Sequence, residues 1–379
     1  MSIKRRDFLT FLGGISGAVL LDSLPRDRRF SMPFLGGDTG NTALAANSTN
    51  LSFKPIKGTM PLKTDGIALS KQSQSYKNFT VIDDLVLPEG FVYDVIATWG
   101  DRVGDSRFGY NNDYLSLVET AKNEGYLTVN FEYISSIPWE QAYTKVIGKS
   151  LPVAEVISAI KALDKKDIDA WALPANDPLK AKIELITKEA LIDLGIGVIS
   201  IRRNADGKWE RTNSQADRRV TGISGLEDGR YLKTTGPAVA IFQKKKGLGY
   251  TDSLGDRVIG TFNNCAGGTT PWGTVFSAEE NFQNFVPEPV MADGTSLDPS
   301  QKKFSQSEGE LNGLGNVFGL AGNKYGWMVE IDPANVNDYG TKHTWLGRYR
   351  HEAVGIRAEA GKNLVFYSCL LYTSPSPRD

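Results

Sequence analysis

Cysteine and histidine are almost missing from this chain of 379 residues, which has 2 of each. No CxxC pair occurs, and so few thiols and imidazoles exclude a structural zinc site and a disulfide framework. A surplus of one charge is missing too. The 43 basic residues nearly cancel the 44 acidic ones, which argues against nucleic-acid binding, since gripping a phosphate backbone takes a basic excess. Long apolar runs are lacking after residue 21, so stable membrane insertion of the mature chain is not expected. Nor is there a clear repeat at the period of the familiar blade or solenoid families.

What is present starts at the N-terminus. Residues 4–21 read "KRRDFLTFLGGISGAVLL": paired arginines, then a glycine-rich apolar run too short to cross a bilayer. The Arg5-Arg6 pair before "DFL" looks like a twin-arginine export signal, used by proteins that fold before crossing the membrane. "ALA" at 43–45 fits a cleavage site. The expectation is a leader over 1–45, a flexible segment over 46–77 and delivery to the periplasm or beyond, with a cofactor loaded before export. At the other end, "CLLYTSPSPRD" from residue 369 changes character abruptly and resembles a translated sequencing adapter. With Cys369 set aside as foreign, Cys265 is the one native thiol.

Between these ends, short β-type runs alternate with turn signals from "LVLPEGFVYDVIATWGD" (85–101) onward. In "GYLTVNFEYIS" (125–135), Leu127, Val129, Phe131 and Tyr133 share one face, and Thr128, Asn130 and Glu132 the other. "GVISIRRNADGKWERT" (197–212) reads as a strand, a turn and a return strand. From 138 to 195 the apolar spacing becomes helical, with Asp and Pro near the starts and Gly195 at an end. The reading is an all-β domain with a helical insertion. Many short strands joined by Gly-rich turns favour a closed or radial architecture, but counting does not separate a propeller from a sandwich.

The densest chemistry is "FNNCAGGTTPWGTVFSAEEN" (262–281). Cys265 offers a thiolate, Asn263 and Asn264 amide oxygens, and Glu279 and Glu280 carboxylates. In an extended segment those two acids point to opposite faces, so only one can face the same cavity. Sulfur mixed with oxygen suits iron, and an all-oxygen surround suits calcium. Other carboxylates stand at Glu132 in "NFEY", at Glu330 and Asp332 in "VEIDP", and at Glu352 in "RHEA". The residues alone equally allow a packed thiol and a solvated acid pair. A cysteine nucleophile would need His343 or His351 beside it as a base.

Taken together, "FGYNNDYLSL", "YLTVNFEYIS", "RRVTGISG", "NNCAGG-TPWGT-EEN", "YGWMVEIDP" and "LGRYRHEA" are similar, in content and order, to motifs of the PhoX-type alkaline phosphatases over roughly residues 80–368. The resemblance implies a β-propeller phosphatase that releases inorganic phosphate from phosphate monoesters, dependent on iron (Fe3+) and calcium (Ca2+). Cys265 matches a thiolate ligand to iron, Glu280 a cluster carboxylate, and Glu352 another. Glu279 is the less specific neighbour. Glu132 lies in a triplet that is His-Glu-Tyr in the family and has Phe131 here. An oxide or hydroxide bridging the metals is the implied nucleophile, so no side chain is assigned as catalytic. The resemblance also implies further ligand-bearing segments beyond residue 368, without which the propeller is incomplete and the chain is expected to be inactive. Two other readings stand beside it: another exported propeller enzyme, such as a quinone-dependent dehydrogenase or lactonase, and a non-catalytic calcium-stabilised propeller.

Overall fold

A computed structural model describes residues 68–77, 84–307 and 309–370. The leader, its cleavage site and the tail from 371 onward lie outside the described residues. The chain divides into two units, 1–92 and 93–379. In the first, helix α1 (Leu69–Lys77) occupies part of the segment expected to be flexible. Its sequence, LSKQSQSYK, holds no glycine, proline or β-branched residue that would oppose a helix.

The second unit is mostly β. A short hairpin of β1 (Arg102–Val103) and β2 (Ser106–Arg107) precedes the first large sheet. That sheet contains β3 (Asn112–Ala121), β4 (Glu124–Phe131), β5 (Gly195–Arg203), β6 (Trp209–Arg211) and β7 (Arg218–Val220). Its order is β3-β4-β5-β6, and β7 pairs with the first half of β5. The second sheet, in the order β8-β14-β13-β10-β9, holds β8 (Lys233–Thr235), β9 (Asn264–Thr269), β10 (Val275–Glu279), β13 (Met328–Ile331) and β14 (Thr341–His343). A small hairpin of β11 (Ser305–Ser307) and β12 (Glu310–Asn312) falls between β10 and β13. Another, β15 (His351–Arg357) with β16 (Val365–Leu370), follows β14. Among the described residues no sheet closes on itself. Residues 85–100, expected to open the strand series, join no ladder, and the large apolar side chains of Phe91, Val92 and Tyr93 are exposed.

β4 and β5 are hydrogen-bonded neighbours along their whole length, yet three helices lie between them in sequence. They are α2 (Ser136–Ile147), α3 (Val153–Ala162) and α4 (Pro178–Ile192). Asp177 caps α4 by accepting the Leu179 N–H at 2.8 Å, and Pro178 fills the first position, where its missing donor costs nothing. α4 buries Ile183, Ile186, Ala190 and Leu191, a helical stripe. Each large aliphatic side chain so buried contributes about 1.5–3 kcal/mol. These residues join the main core with Ile196 and Val198 of β5 and with Phe262, Phe285 and Phe304. The stripe is pinned by charge as well. Arg107 reaches Glu189 at 2.8 Å and Asp193 at 2.6 Å, and the Trp139 indole of α2 donates to Asp193 at 2.8 Å.

β4 departs from simple alternation. Val129 and Phe131 are buried as expected, but Thr128 and Asn130 on the other face are buried too. The second sheet covers that face: Asn130 Nδ2 donates to the Cys265 carbonyl at 2.6 Å, and its Oδ1 accepts from Ser277 Oγ at 2.8 Å. One buried amide thus ties the two sheets together beside Cys265.

Candidate metal centre

Two hairpins, β3–β4 and β9–β10, present the same end to a common point. Asn112 pairs with Phe131 in the first, and Asn264 with Glu279 in the second. The residues that follow or flank these pairs carry the donors: Asp113 and Glu132 from one hairpin, Cys265 and Glu280 from the other. Ligand atoms of Asp113, Glu132 and Cys265 all lie within 4.8 Å of one another. The thiol donates to Asp113 Oδ2 at 3.2 Å. Glu280 is close enough to hydrogen-bond both Cys265 and Glu132.

The hairpins share a local device. Asn111 and Asn263 each stand two residues before a donor, and both adopt left-handed backbone, with φ of 59° and 54°. Asparagine tolerates that conformation better than most residues. The Asn111 carbonyl accepts the Glu132 N–H at 3.1 Å, and the Asn263 carbonyl accepts the Glu280 N–H at 2.9 Å. Register irregularities mark the same places: between Asn112 and Leu115 in β3, and between Ser277 and Glu279 in β10. A third falls between His351 and Val354 in β15, where Glu352 sits. A bulge turns a side chain out of the alternation of its strand, which brings Asp113 and Glu352 off their sheet faces, while Glu132 and Glu280 stand one residue past the ends of β4 and β10.

Close backbone approach explains the two glycines after Cys265. A Cβ on Gly268 would lie 2.3 Å from the Val354 carbonyl of β15, and one on Gly267 would lie 2.1 Å from the Phe276 carbonyl and 2.8 Å from the Tyr114 ring. The β15–β16 hairpin can therefore lie directly on β9, carrying Glu352 toward the others. Glu352 is near enough to Glu280 to raise its pKa.

The electrostatics are one-sided. Burial, then the charges of Asp113 and Glu280, pushes the Glu132 carboxyl up to about 7. Burial is the largest cause for Glu280 too, opposed by the Cys265 thiol and reinforced by Glu352 and Asp113. Burial and the surrounding carboxylates push the Cys265 thiol far up. Every perturbing group is acidic or a thiol, so the cluster lacks the positive charge that would let its members ionise together. A soft sulfur among hard carboxylate oxygens fits a bound iron ion, and the carboxylates fit calcium.

Of the acids predicted from sequence, Glu132 and Glu280 come together with Cys265, and Glu352 lies nearby. Glu279 does not. Its side chain is fully buried on the opposite face of β10, where it meets Lys342 at 2.6 Å, Thr261 Oγ1 at 2.8 Å and the backbone N–H groups of Gly326 and Trp327 at 2.9 and 3.1 Å. Those contacts leave no oxygen for the cluster and make Glu279 an anchor for the second sheet. Glu330 lies away from the cluster too, held by His343 at 2.7 Å. His351 is buried against the Tyr349 ring and the Gly347 carbonyl, so it is no base for Cys265. Asp113 and Asn130 are the residues that sequence reasoning passed over. Asp113 follows "NN" just as Cys265 does, and that shared pattern was the available signal.

A cleft of about 530 Å³ opens beside Glu132, lined also by Asn263, Asn281, Asn284, Glu310 and Asn312. The loop leading into α2 and the first residue of the helix form another wall through Tyr133, Ser135 and Ser136.

Comparison with known proteins places this geometry. A family model described as "Alkaline phosphatase PhoX" matches residues 69–369. No curated protein matches the chain. Among solved structures, "Pseudomonas fluorescens PhoX in complex with vanadate, a transition state analogue" is similar at 25% identity with a TM-score of 0.50, over 75% of this chain and 46% of that one. The chain thus spans about half the length of that relative. With its family model covering both hairpins and every donor described above, the chain belongs to the alkaline phosphatase PhoX family.

Proposed function

We propose that this protein is an exported phosphomonoesterase that hydrolyses phosphate monoesters at a cluster of iron and calcium ions. The observation that carries the reading is the convergence of Cys265 with Asp113, Glu132 and Glu280, a thiol and three carboxylates that can all ionise together only around bound cations. These residues, with Glu352, would hold the ions. Bound cations supply the positive charge that a phosphate dianion needs and lower the cost of deprotonating an attacking water. The relative solved with vanadate, described as a transition state analogue, supports phosphoryl transfer as the chemistry.

The chain's own residues prepare the place. Asn130 fixes the Cys265 backbone, the Asn111 and Asn263 carbonyls orient the backbones of Glu132 and Glu280, and Glu279 with Lys342 holds β10 rigid behind them. Two hairpins offering the same end to one point fit blades arranged about an axis, which supports a β-propeller. The Arg5-Arg6 leader supports twin-arginine export to the periplasm or beyond, a route open to a chain already folded around its ions.

Because the chain spans about half the length of its solved relative, the test uses the full-length protein and its Cys265→Ala variant: elemental analysis, with phenyl phosphate hydrolysis measured before and after chelation. Iron and calcium should be present, iron should fall by at least half in the variant, and chelation should abolish hydrolysis. Hydrolysis that survives chelation, or protein without either metal, would overturn the reading. Calcium that raises Tm without hydrolysis at any pH would favour a non-catalytic propeller instead.

A further inference from the structure

The cleft beside Glu132 adjoins the proposed metal centre and shares only Glu132 with its donors. Its volume of about 530 Å³ is in the range of small-molecule sites. Four asparagines line it, at 263, 281, 284 and 312, and its charged lining is Glu132 and Glu310, with no lysine, arginine or histidine. A side-chain amide both donates and accepts, as a hydroxyl does, so an amide wall matches a surface of several hydroxyls. Two lining groups are left without partners by the protein: Asn263 Oδ1 and Ser136 Oγ are buried and unpaired, and their residues are 1% and 2% exposed. Unmet polar groups of this kind cost stability unless something pairs with them. Ile137, Pro138 and Phe285 give the cleft an apolar flank suited to the C–H face of a ring.

We propose that this cleft receives the alcohol portion of the ester and selects a neutral polyhydroxylated one, a sugar or polyol monophosphate. The inference rests on the phosphatase reading, because Glu132 lines both the cleft and the cluster and so brings the alcohol of a cluster-bound ester within reach. Charge sets the second half of the specificity. An alcohol carrying another phosphate meets Glu310 and Glu132 with no cation on the lining to offset them, so bisphosphates and nucleoside polyphosphates are disfavoured.

The test measures kcat/KM for glucose 6-phosphate, glucose 1,6-bisphosphate and phenyl phosphate with the full-length, metal-loaded protein and with its Asn284→Leu, Asn312→Leu and Glu310→Gln variants. Asn284 and Glu310 are exposed, so those variants keep the fold. The ratio of glucose 6-phosphate to phenyl phosphate should fall about tenfold in each asparagine variant, the effect of one lost hydrogen bond in a site built for it. In Glu310→Gln the ratio of bisphosphate to monophosphate should rise severalfold. Ratios within twofold of the unaltered protein in all three variants overturn the proposal. If no ester is hydrolysed, the phosphatase reading fails separately, and saturation-transfer NMR with free glucose decides the cleft. Binding that is lost in the asparagine variants sustains a polyol site, and no binding to the unaltered protein overturns it.

Discussion

Glu279 and Glu280 are chemical twins in sequence, and the structure gives them opposite consequences on substitution. Glu279→Gln removes the negative charge from a pair whose side chains are both fully buried. Lys342 then keeps the Lys324 carbonyl at 3.0 Å and the Tyr325 ring at 4.1 Å, neither of which replaces a carboxylate. The new amide is also mismatched, because Glu279 now accepts at both oxygens and an NH2 must face a donor at one of them. Breaking a buried pair from one side costs about 3–5 kcal/mol. At roughly 2 °C per kcal/mol for a domain of this size, Tm falls by roughly 6–10 °C.

A pH arm follows from the same pair. Burial already lowers Lys342 to about 8 against the pull of Glu279. Without Glu279 the depression deepens, while the unfolded chain holds that proton up to its ordinary value of 10.5. The unfolded state then binds more protons over this interval, so the variant regains stability as pH rises toward 10.5. Metal content should be unchanged. Glu280→Gln should do the reverse, lowering bound iron and calcium while leaving the chelated protein's Tm within about 2 °C of the parent. Thermal melts at pH 7 and pH 10 with elemental analysis decide it. A Glu279→Gln protein that loses metal while losing less than about 1 kcal/mol would refute the division of labour.

Two further outcomes concern the cluster's surroundings. Gly268→Ala must push the Val354 carbonyl away from 2.3 Å, displacing β15 and with it Glu352, so metal affinity should drop about 10-fold or more on titration while far-UV circular dichroism stays unchanged. In chelator, Glu132 holds its proton up to about 7 in the folded state, so its contribution to stability falls as pH rises from the ordinary value of 4.5 to 7; Glu132→Gln should remove that part of the pH dependence of Tm, and an unchanged slope would count against the burial of this acid.

Much of the site could be read from the chain, and what escaped has physical causes. The alternation of a strand correctly said that only one of Glu279 and Glu280 could face a cavity. Which one depended on Lys342, a residue on another strand that no local pattern ties to Glu279. Asn130 stands on the polar-reading face of β4, and only the packing of a second sheet buries it. Asp113 was overlooked because one acid amid asparagines resembles a turn, until the left-handed Asn111 is set beside the left-handed Asn263. The start of α4 was legible from Asp177 and Pro178, whereas α2 begins two residues before the predicted Pro138, a proline being tolerated in a first turn. The run at 85–101 had strand composition but, among the described residues, no partner ladder, and a strand is a property of pairs.

The wide spacing of the donors bears on when the site comes into being. Cys265 and Asp113 are 152 residues apart, and the β4–β5 pairing beside them waits on a long helical excursion. An unfolded chain therefore offers no local chelate of these groups, unlike a zinc finger whose ligands lie a few residues apart. Ions that bind the native arrangement alone act as pure native-state ligands, adding stability by mass action without competing for the unfolded chain. Metal occupancy becomes a readout of completed folding: an ion retained at this centre certifies that both sheets have docked.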